Sequence, residues 1–380
     1  MKRLALQKEG KYIWQKSGWP NLSYDNSRLT SYLGKTRFSQ GVLLGRMRGL
    51  GFDLSEEARA EILANEAVKT SAVEGTVLNL DSVRSSVARY LGLPSAGLSV
   101  PDRYADGIVE VLLDATGKYN LPLTAKRLCG WQAALFPTGF YGLHKIKVGK
   151  WRGKEPMRVV SGPIGREKIH FEAPPHERIE REVKQFLAWW SRSSRGVDGL
   201  VRAGIAHLFF VTIHPFEDGN GRIARAITDM ALAQDEKMDK RFYSISTQIM
   251  AERNKYYDVL EASQKGELDI TDWLIWFLQC TERAIINAEN IVSKVLAKDS
   301  FWKKNGAAQI NERQRKVINR LLDAGPGGFA GGLTTRKYVS IVKTSRVTAY
   351  REITDLLEKG FIKQNEGKGR NVSYDINWLP

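Results

Sequence analysis

A mainly α-helical fold, interrupted by one β-hairpin and followed by a small C-terminal module of three helices and two strands, is predicted by three observations. From Ser55 to Leu296 apolar residues recur at helical spacing in run after run. One stretch, 150–175, departs from that spacing with two short β-rich runs around a glycine turn. Beyond Leu296 the helical spacing restarts, with its own glycine break and a denser basic charge.

Residues 1–50 read as an N-terminal accessory region. Tyr12-Ile13-Trp14 and Trp19-Pro20 lead into a helix-like run that is expected to end among Gly41-Val42-Leu43-Leu44-Gly45. Ser55 then suits an N-cap, Glu56 and Glu57 suit the positive helix end, and Ile62, Leu63, Ala67 and Val68 share a face. The resulting helix over 55–75 stops at Gly75 and leaves Glu74 in its last turn. A carboxylate against that negative end costs on the order of 0.3–1 kcal/mol. A nearby cation would remove the cost; simple solvation is the alternative.

Helices follow over 81–91, 101–117 and 124–136, with a break at Leu93-Pro94-Ser95-Ala96-Gly97. Lys150-Trp151-Arg152-Gly153 leads into Met157-Arg158-Val159-Val160, the turn Ser161-Gly162-Pro163-Ile164-Gly165, then Lys168-Ile169-His170-Phe171 and Ala173-Pro174-Pro175. An isolated hairpin is barely stable, so this one must lean on the helices, and its outer edge offers unpaired backbone groups. Residues 177–190 are helical, 191–196 form an exposed loop, and 200–213 form an apolar helix that delivers His214.

The stretch His214-Pro215-Phe216-Glu217-Asp218-Gly219-Asn220-Gly221-Arg222-Ile223-Ala224-Arg225 carries the chemistry. Gly219-Asn220-Gly221 directly precedes a helical run over 222–233, so backbone N–H groups at the helix start can converge on an anion. Arg222 and Arg225, three apart on the first turn, share a face and suit phosphate oxygens. Asp218 can hold Mg²⁺, which takes one or two protein carboxylates and completes its shell with phosphate and water. His214, with a reference pKa near 6.5, is a natural general base. Taken singly, these are a surface turn, a buried histidine and a chance metal pair of Asp218 with His214; together they point to transfer of a phosphate-containing group to a hydroxyl.

The same residues resemble the Fic family signature, His-x-Phe-x-Asp/Glu-Gly-Asn-Gly-Arg-x-x-Arg, at every fixed position. The resemblance implies a Fic helical core with a small β-hairpin flap, in which His214 deprotonates a protein hydroxyl, that oxygen attacks the α-phosphate of ATP, and pyrophosphate leaves. Asp218 would then bind Mg²⁺. Gly219, Asn220 and Gly221 would form the anion hole, Arg222 and Arg225 would hold the distal phosphates, and Phe216 would point into the core. Thr70-Ser71-Ala72-Val73-Glu74-Gly75 resembles the Fic inhibitory motif, with Thr70, Glu74 and Gly75 at its fixed positions. By that likeness Glu74 pairs with Arg225 and blocks the γ-phosphate pose, since one guanidinium fork cannot serve both. The hairpin resembles the Fic flap, which aligns a target segment by strand addition. Tyr257 and Gln264 fall where Fic proteins border the nucleobase, although relatives often carry Asn where Gln264 stands.

This reading assigns 51–300 to a Fic catalytic domain with an inhibitory helix over 55–75, and expects an autoinhibited protein adenylyltransferase that acts on a target protein or on itself. Transfer of another phosphate-bearing group, removal of AMP from a modified protein, and a nucleotide-sensing DNA-binding regulator are the alternatives.

Residues 307–380 make a second domain, with helices over 312–322, 335–342 and 347–359, the last capped by Ser345. Gly325-Pro326-Gly327-Gly328 interrupts the first two, and Phe361-Ile362-Lys363, Gly367-Lys368-Gly369-Arg370 and Val372-Ser373-Tyr374-Asp375-Ile376 read as strand, basic turn, strand. The pattern resembles a winged helix-turn-helix module. Thr344, Arg346, Thr348, Tyr350 and Arg351 would line its recognition helix, with Lys368 and Arg370 on the wing. DNA is the expected partner, and protein binding is the other use of that fold. Residues 301–380 hold 15 Lys/Arg against 7 Asp/Glu, half of the formal net charge of +16. Two distant cysteines, no apolar stretch of membrane-spanning length and no apolar leader core point to the cytoplasm; a homodimer is the one assembly considered.

Overall fold

The computed structural model describes residues 10–48, 52–93, 100, 102–141, 144–162, 166–305, 309–325, 329–366 and 372–378. Of the expected features, residues 94–97, the turn residues 163–165, residues 326–328, and Lys368 and Arg370 of the wing lie outside these. The chain divides into two compact units, Met1–Leu50 with Arg59–Ala288, and Gly51–Ala58 with Glu289–Pro380.

The order along the first part of the chain is α1 (Asn26–Arg48), α2 (Phe52–Val73), α3 (Leu80–Leu91), α4 (Arg103–Gly117) and α5 (Ala125–Leu135), followed by β1 (Phe140–Tyr141) and β2 (His144–Lys145). The antiparallel pair β3 (Arg158–Ser161) and β4 (Lys168–Glu172) comes next, with a register shift between Val159 and Val160. Then follow α6 (Ile179–Ser193), α7 (Gly199–Ile213), α8 (Asn220–Glu236), α9 (Ile245–Ala251), α10 (Arg253–Gln264) and α11 (Thr271–Asn305).

Helix α7 is apolar on all sides, and residues 200–213 are all buried, so it lies at the centre of the first unit with α8 packed along it. Asp198 starts it by accepting the Leu200 N–H at 2.9 Å. Two polar side chains within it are satisfied internally. Arg202 donates to Ser193 Oγ, Gln234 Oε1 and Trp190 O at 2.7–3.0 Å. His207 lies 3.0 Å from both Thr228 Oγ1 and Tyr256 Oη, and burial pushes its pKa down to about 3.

Several boundaries differ from the sequence reading. Helix α1 does not end at Gly41–Gly45 but continues to Arg48, because Leu43, Leu44 and Met47 are buried and hold the turn that glycine only weakens. Helix α2 begins three residues before Ser55, which is therefore not its cap. Helix α6 runs on to Ser193, whose hydroxyl is needed by Arg202. The β1–β2 pair was not anticipated; two-residue strands leave no periodicity to read.

The second unit contains α12 (Glu312–Ala324), α13 (Thr335–Val342), α14 (Arg346–Glu358) and the antiparallel pair β5 (Ile362–Gln364) and β6 (Tyr374–Ile376). Val317, Ile318, Leu321, Ile353, Leu356 and Phe361 form its core. Tyr338 donates to Glu352 Oε2 at 2.7 Å, and Arg313 holds the other side of that carboxylate. Ser345 caps α14, accepting the Thr348 N–H at 3.1 Å. Among the described residues no helix is long and apolar enough to cross a membrane.

Candidate active site

Helix α7 ends where His214 takes a left-handed conformation, φ 50° and ψ 59°, with its N–H donating to Phe210 O at 3.1 Å. A non-glycine residue there costs about 1–2 kcal/mol, so the surroundings must enforce it. They do so through Phe216, which is fully buried and packs 4.8 Å from the Trp151 ring, and through Arg152, which donates from Nε to His214 O at 2.8 Å. The chain then turns back at Gly219, φ 89°, and enters α8. Asn220 closes this loop with its side chain, accepting the Phe216 N–H at 2.9 Å and donating to Phe216 O at 2.8 Å. Its amide is thereby spent on the turn, and the N–H groups at the start of α8 remain as the anion-facing groups.

His214 Nδ1 lies 3.1 Å from Val211 O. A carbonyl only accepts, so Nδ1 carries the proton and Nε2 has the free lone pair. Burial lowers the His214 pKa and the Arg152 guanidinium lowers it further, while the Val211 carbonyl, Glu74 and Asp218 act the other way; the net direction is down. The imidazole is therefore neutral at neutral pH.

Arg225 is buried and held from α2. Its Nε donates to Thr70 Oγ1 at 2.6 Å, and its Nη2 donates to Thr70 O at 2.8 Å and to Glu74 Oε1 at 2.7 Å. Burial pushes the Glu74 pKa up, but Arg225, then Arg222 and His214, more than offset that and leave it below its ordinary value. Of the two readings left open for Glu74, a nearby cation or solvation, the structure shows the cation, Arg225. A Cβ on Gly221 would stand 2.0 Å from Glu74 Oε1, so only glycine admits the carboxylate here. Gly75, φ 83°, ends the segment that carries Glu74. Arg222 lies over the Phe136 ring at 4.7 Å and contacts Asp218 Oδ1 at 3.5 Å.

His214, Gly221, Glu74, Tyr257 and Gln264 line one cleft of about 510 Å³ with Val159, Ser161 and His170 of the hairpin. Tyr257 donates to Val73 O at 3.2 Å; Gln264 is buried and reaches only 3.4–3.5 Å from Thr212 Oγ1 and Val211 O. Tyr256 belongs to the core. Asp218 is part-exposed beside the cradle, and both of its side-chain contacts use Oδ1. A single carboxylate with room for phosphate oxygens fits Mg²⁺. Among the described residues no cluster of three or more His, Cys, Asp or Glu offers a self-sufficient metal site.

Three contributors were missed from sequence. Arg253 donates from Nε to Val73 O at 2.9 Å; its place one turn before Tyr257 was the available signal. Phe136 under Arg222 carried none. His170 Nδ1, 2.5 Å from Glu261 Oε2, ties β4 to α10, and Ser161 Oγ lies 2.5 Å from its Nε2.

Residues 122–232, which include the whole His214–Arg225 stretch, match the Fic/DOC family. The chain carries a Fic-like domain over residues 122–232. Residues 12–93 match a domain of unknown function, DUF4172, so the Glu74 segment lies within that region. The chain is 27% identical over 220 residues to Protein adenylyltransferase Fic of Nematostella vectensis, covering 57% of this chain and 46% of that one. It is 26% identical over 204 residues to Protein adenylyltransferase fic-1 of Caenorhabditis elegans, covering 52% and 36%. The chain thus spans less than half the length of these curated relatives. The crystal structure of a Fic family protein from Desulfovibrio desulfuricans G20 superposes with a TM-score of 0.52 at 17% identity, over 93% of this chain and 97% of that one, which establishes a Fic-type fold.

Proposed function

We propose that the chain is an autoinhibited protein adenylyltransferase, moving AMP from ATP to a hydroxyl side chain of a protein. The observation that carries this reading is one cleft lined both by a neutral His214 with its free Nε2 and by Glu74, whose carboxylate engages the buried Arg225 behind it. His214 Nε2 takes the hydroxyl proton as the oxygen forms its bond to the α-phosphorus. The bond from that phosphorus to the bridging oxygen breaks, and pyrophosphate departs with the electron pair. The backbone N–H groups of Asn220 and Gly221 and the Arg222 and Arg225 guanidinium groups would receive the phosphate charge, while the Gly219 N–H donates to Asp218 Oδ1. Asp218 would hold Mg²⁺, which when bound draws charge from the phosphate oxygens. The β3–β4 hairpin would add a strand of the target along its edge.

Glu74 acts as the brake in this reading, because the fork it occupies on Arg225 is the one a γ-phosphate needs. The test is label transfer from α-³²P-ATP with Mg²⁺. Label should be faint with wild type, strong with Glu74→Gly and lost with Glu74→Gly/His214→Ala. No label in any of the three, despite nucleotide binding, would overturn the activity.

For the second unit we propose a winged helix-turn-helix role in DNA contact. The support is the exposure of Val347 (81%) and Tyr350 (65%) on α14, among Arg346, Thr348 and Arg351, outside the core of that unit.

A further inference from the structure

Arg152 is 2% exposed, and its guanidinium is committed to carbonyls: Nε donates to His214 O at 2.8 Å and Nη2 donates to Pro174 O. Its own N–H donates to Pro215 O at 2.9 Å, and its carbonyl accepts from His176 Nδ1 at 2.9 Å. The first and third of these clamp the two peptides that frame Pro215, the residue after the base. The second and fourth clamp the segment directly after β4. Ala173, between them, donates to Met157 O at 3.0 Å and closes the root of the β3–β4 pair. One side chain thus ties the turn that presents His214 to the base of the hairpin.

We propose that Arg152 is a positioning residue for the transfer: it sets His214 and the target-aligning hairpin at one fixed spacing, so that Nε2 meets the hydroxyl which the hairpin delivers. The inference rests on the reading of His214 as the base. Arginine is required because a planar fork holds two acceptors at set angles, whereas a lysine offers one freely rotating point. Its charge has a second effect. The charged groups facing His214 are Arg152, which disfavours the imidazolium, and Glu74 and Asp218, which favour it. Arg152 is itself depressed to about 10 by burial, with Glu177 opposing, and so stays charged at neutral pH.

The experiment uses the full chain in the Glu74→Gly background, with Arg152→Lys and Arg152→Gln. Transfer is normalised to ATP-binding sites, and His214 is titrated by its ring Cε1–H signal, assigned among the 5 histidines with His214→Ala. Arg152 does not line the cleft. Arg152→Lys should therefore keep KM for ATP within about twofold and lower kcat by about 100-fold, the loss expected of a misplacement near 1 Å. Its His214 titration should match the parent. Arg152→Gln should lose kcat similarly and also shift the His214 titration to higher pH. A folded Arg152→Lys with kcat within twofold of the parent would overturn the proposal. So would a folded Arg152→Gln whose His214 titrates unchanged or lower, and so would failure of both variants to fold, which would make Arg152 a folding residue only. If the parent shows no transfer the base reading fails on its own, while the titration still reports the hold of Arg152 on His214.

Discussion

Thr70→Val isolates the hold of α2 on Arg225. The substitution is nearly isosteric and Thr70 is fully buried, so no sizeable cavity forms. What is lost is the acceptor for Arg225 Nε at 2.6 Å, a hydrogen bond to a charged donor worth about 1.5–3 kcal/mol. The Thr70 carbonyl and Glu74 still engage Nη2, so the arginine stays in place with one N–H orphaned. At about 2 °C per kcal/mol for a unit of about 280 residues, the first unit should melt about 3–6 °C lower by calorimetry. Saturating ATP should recover part of that loss if a phosphate supplies new acceptors to Arg225. The same loosening should raise label transfer, by less than Glu74→Gly raises it. A melting temperature within 1 °C of wild type would refute the reasoning, because Nε would then have another acceptor within reach.

Five further outcomes follow. Glu74→Gly should titrate His214 at lower pH than wild type does, because the carboxylate favours the imidazolium; a rise seen by NMR would contradict the assigned surroundings. With the base neutral above its depressed pKa, transfer by that variant should be flat through neutrality and fall only below about pH 6.5. Asp218→Asn should cut transfer at least roughly tenfold and raise the Mg²⁺ concentration needed for half-maximal rate, with Mg²⁺-free nucleotide binding by calorimetry little changed. Gly221→Ala should break the Glu74–Arg225 pair without releasing activity, since the methyl that displaces Oε1 also enters the phosphate cradle; strong labelling would show the cradle lies elsewhere. For the second unit, fluorescence anisotropy should detect duplex DNA at low salt and lose it steeply as salt rises, more so with Arg346→Ala/Arg351→Ala; no binding at about 50 mM salt would rule out DNA contact.

What the sequence made legible were features whose chemistry is local. The stretch from His214 to Arg225 could be read because a turn, a helix start and two arginines on one face all lie within twelve residues. Glu74 was legible as a carboxylate at an unfavourable helix end; its partner, 151 positions away, was reached only through family resemblance. Arg152 was not legible, because it acts by donating to backbone carbonyls that folding brings near, and backbone acceptors are the same in every sequence. The glycines of α1 misled for a related reason: propensity marks a weak turn, but burial of Leu43, Leu44 and Met47 decides whether the turn persists.

The last carbonyl of α2, Val73 O, receives Arg253 Nε and Tyr257 Oη, both from the wall of the cleft that a nucleotide would enter. Under the proposed brake nucleotide would compete with that terminus, and linkage would make the competition symmetrical: the factor by which docking of the α2 terminus weakens nucleotide binding would equal the factor by which nucleotide loosens that terminus. A regulator therefore need not touch Glu74. Anything that captures the released end of α2 draws nucleotide in, and nucleotide in turn exposes that end to capture, a reciprocity that amide exchange over residues 70–75 would register directly.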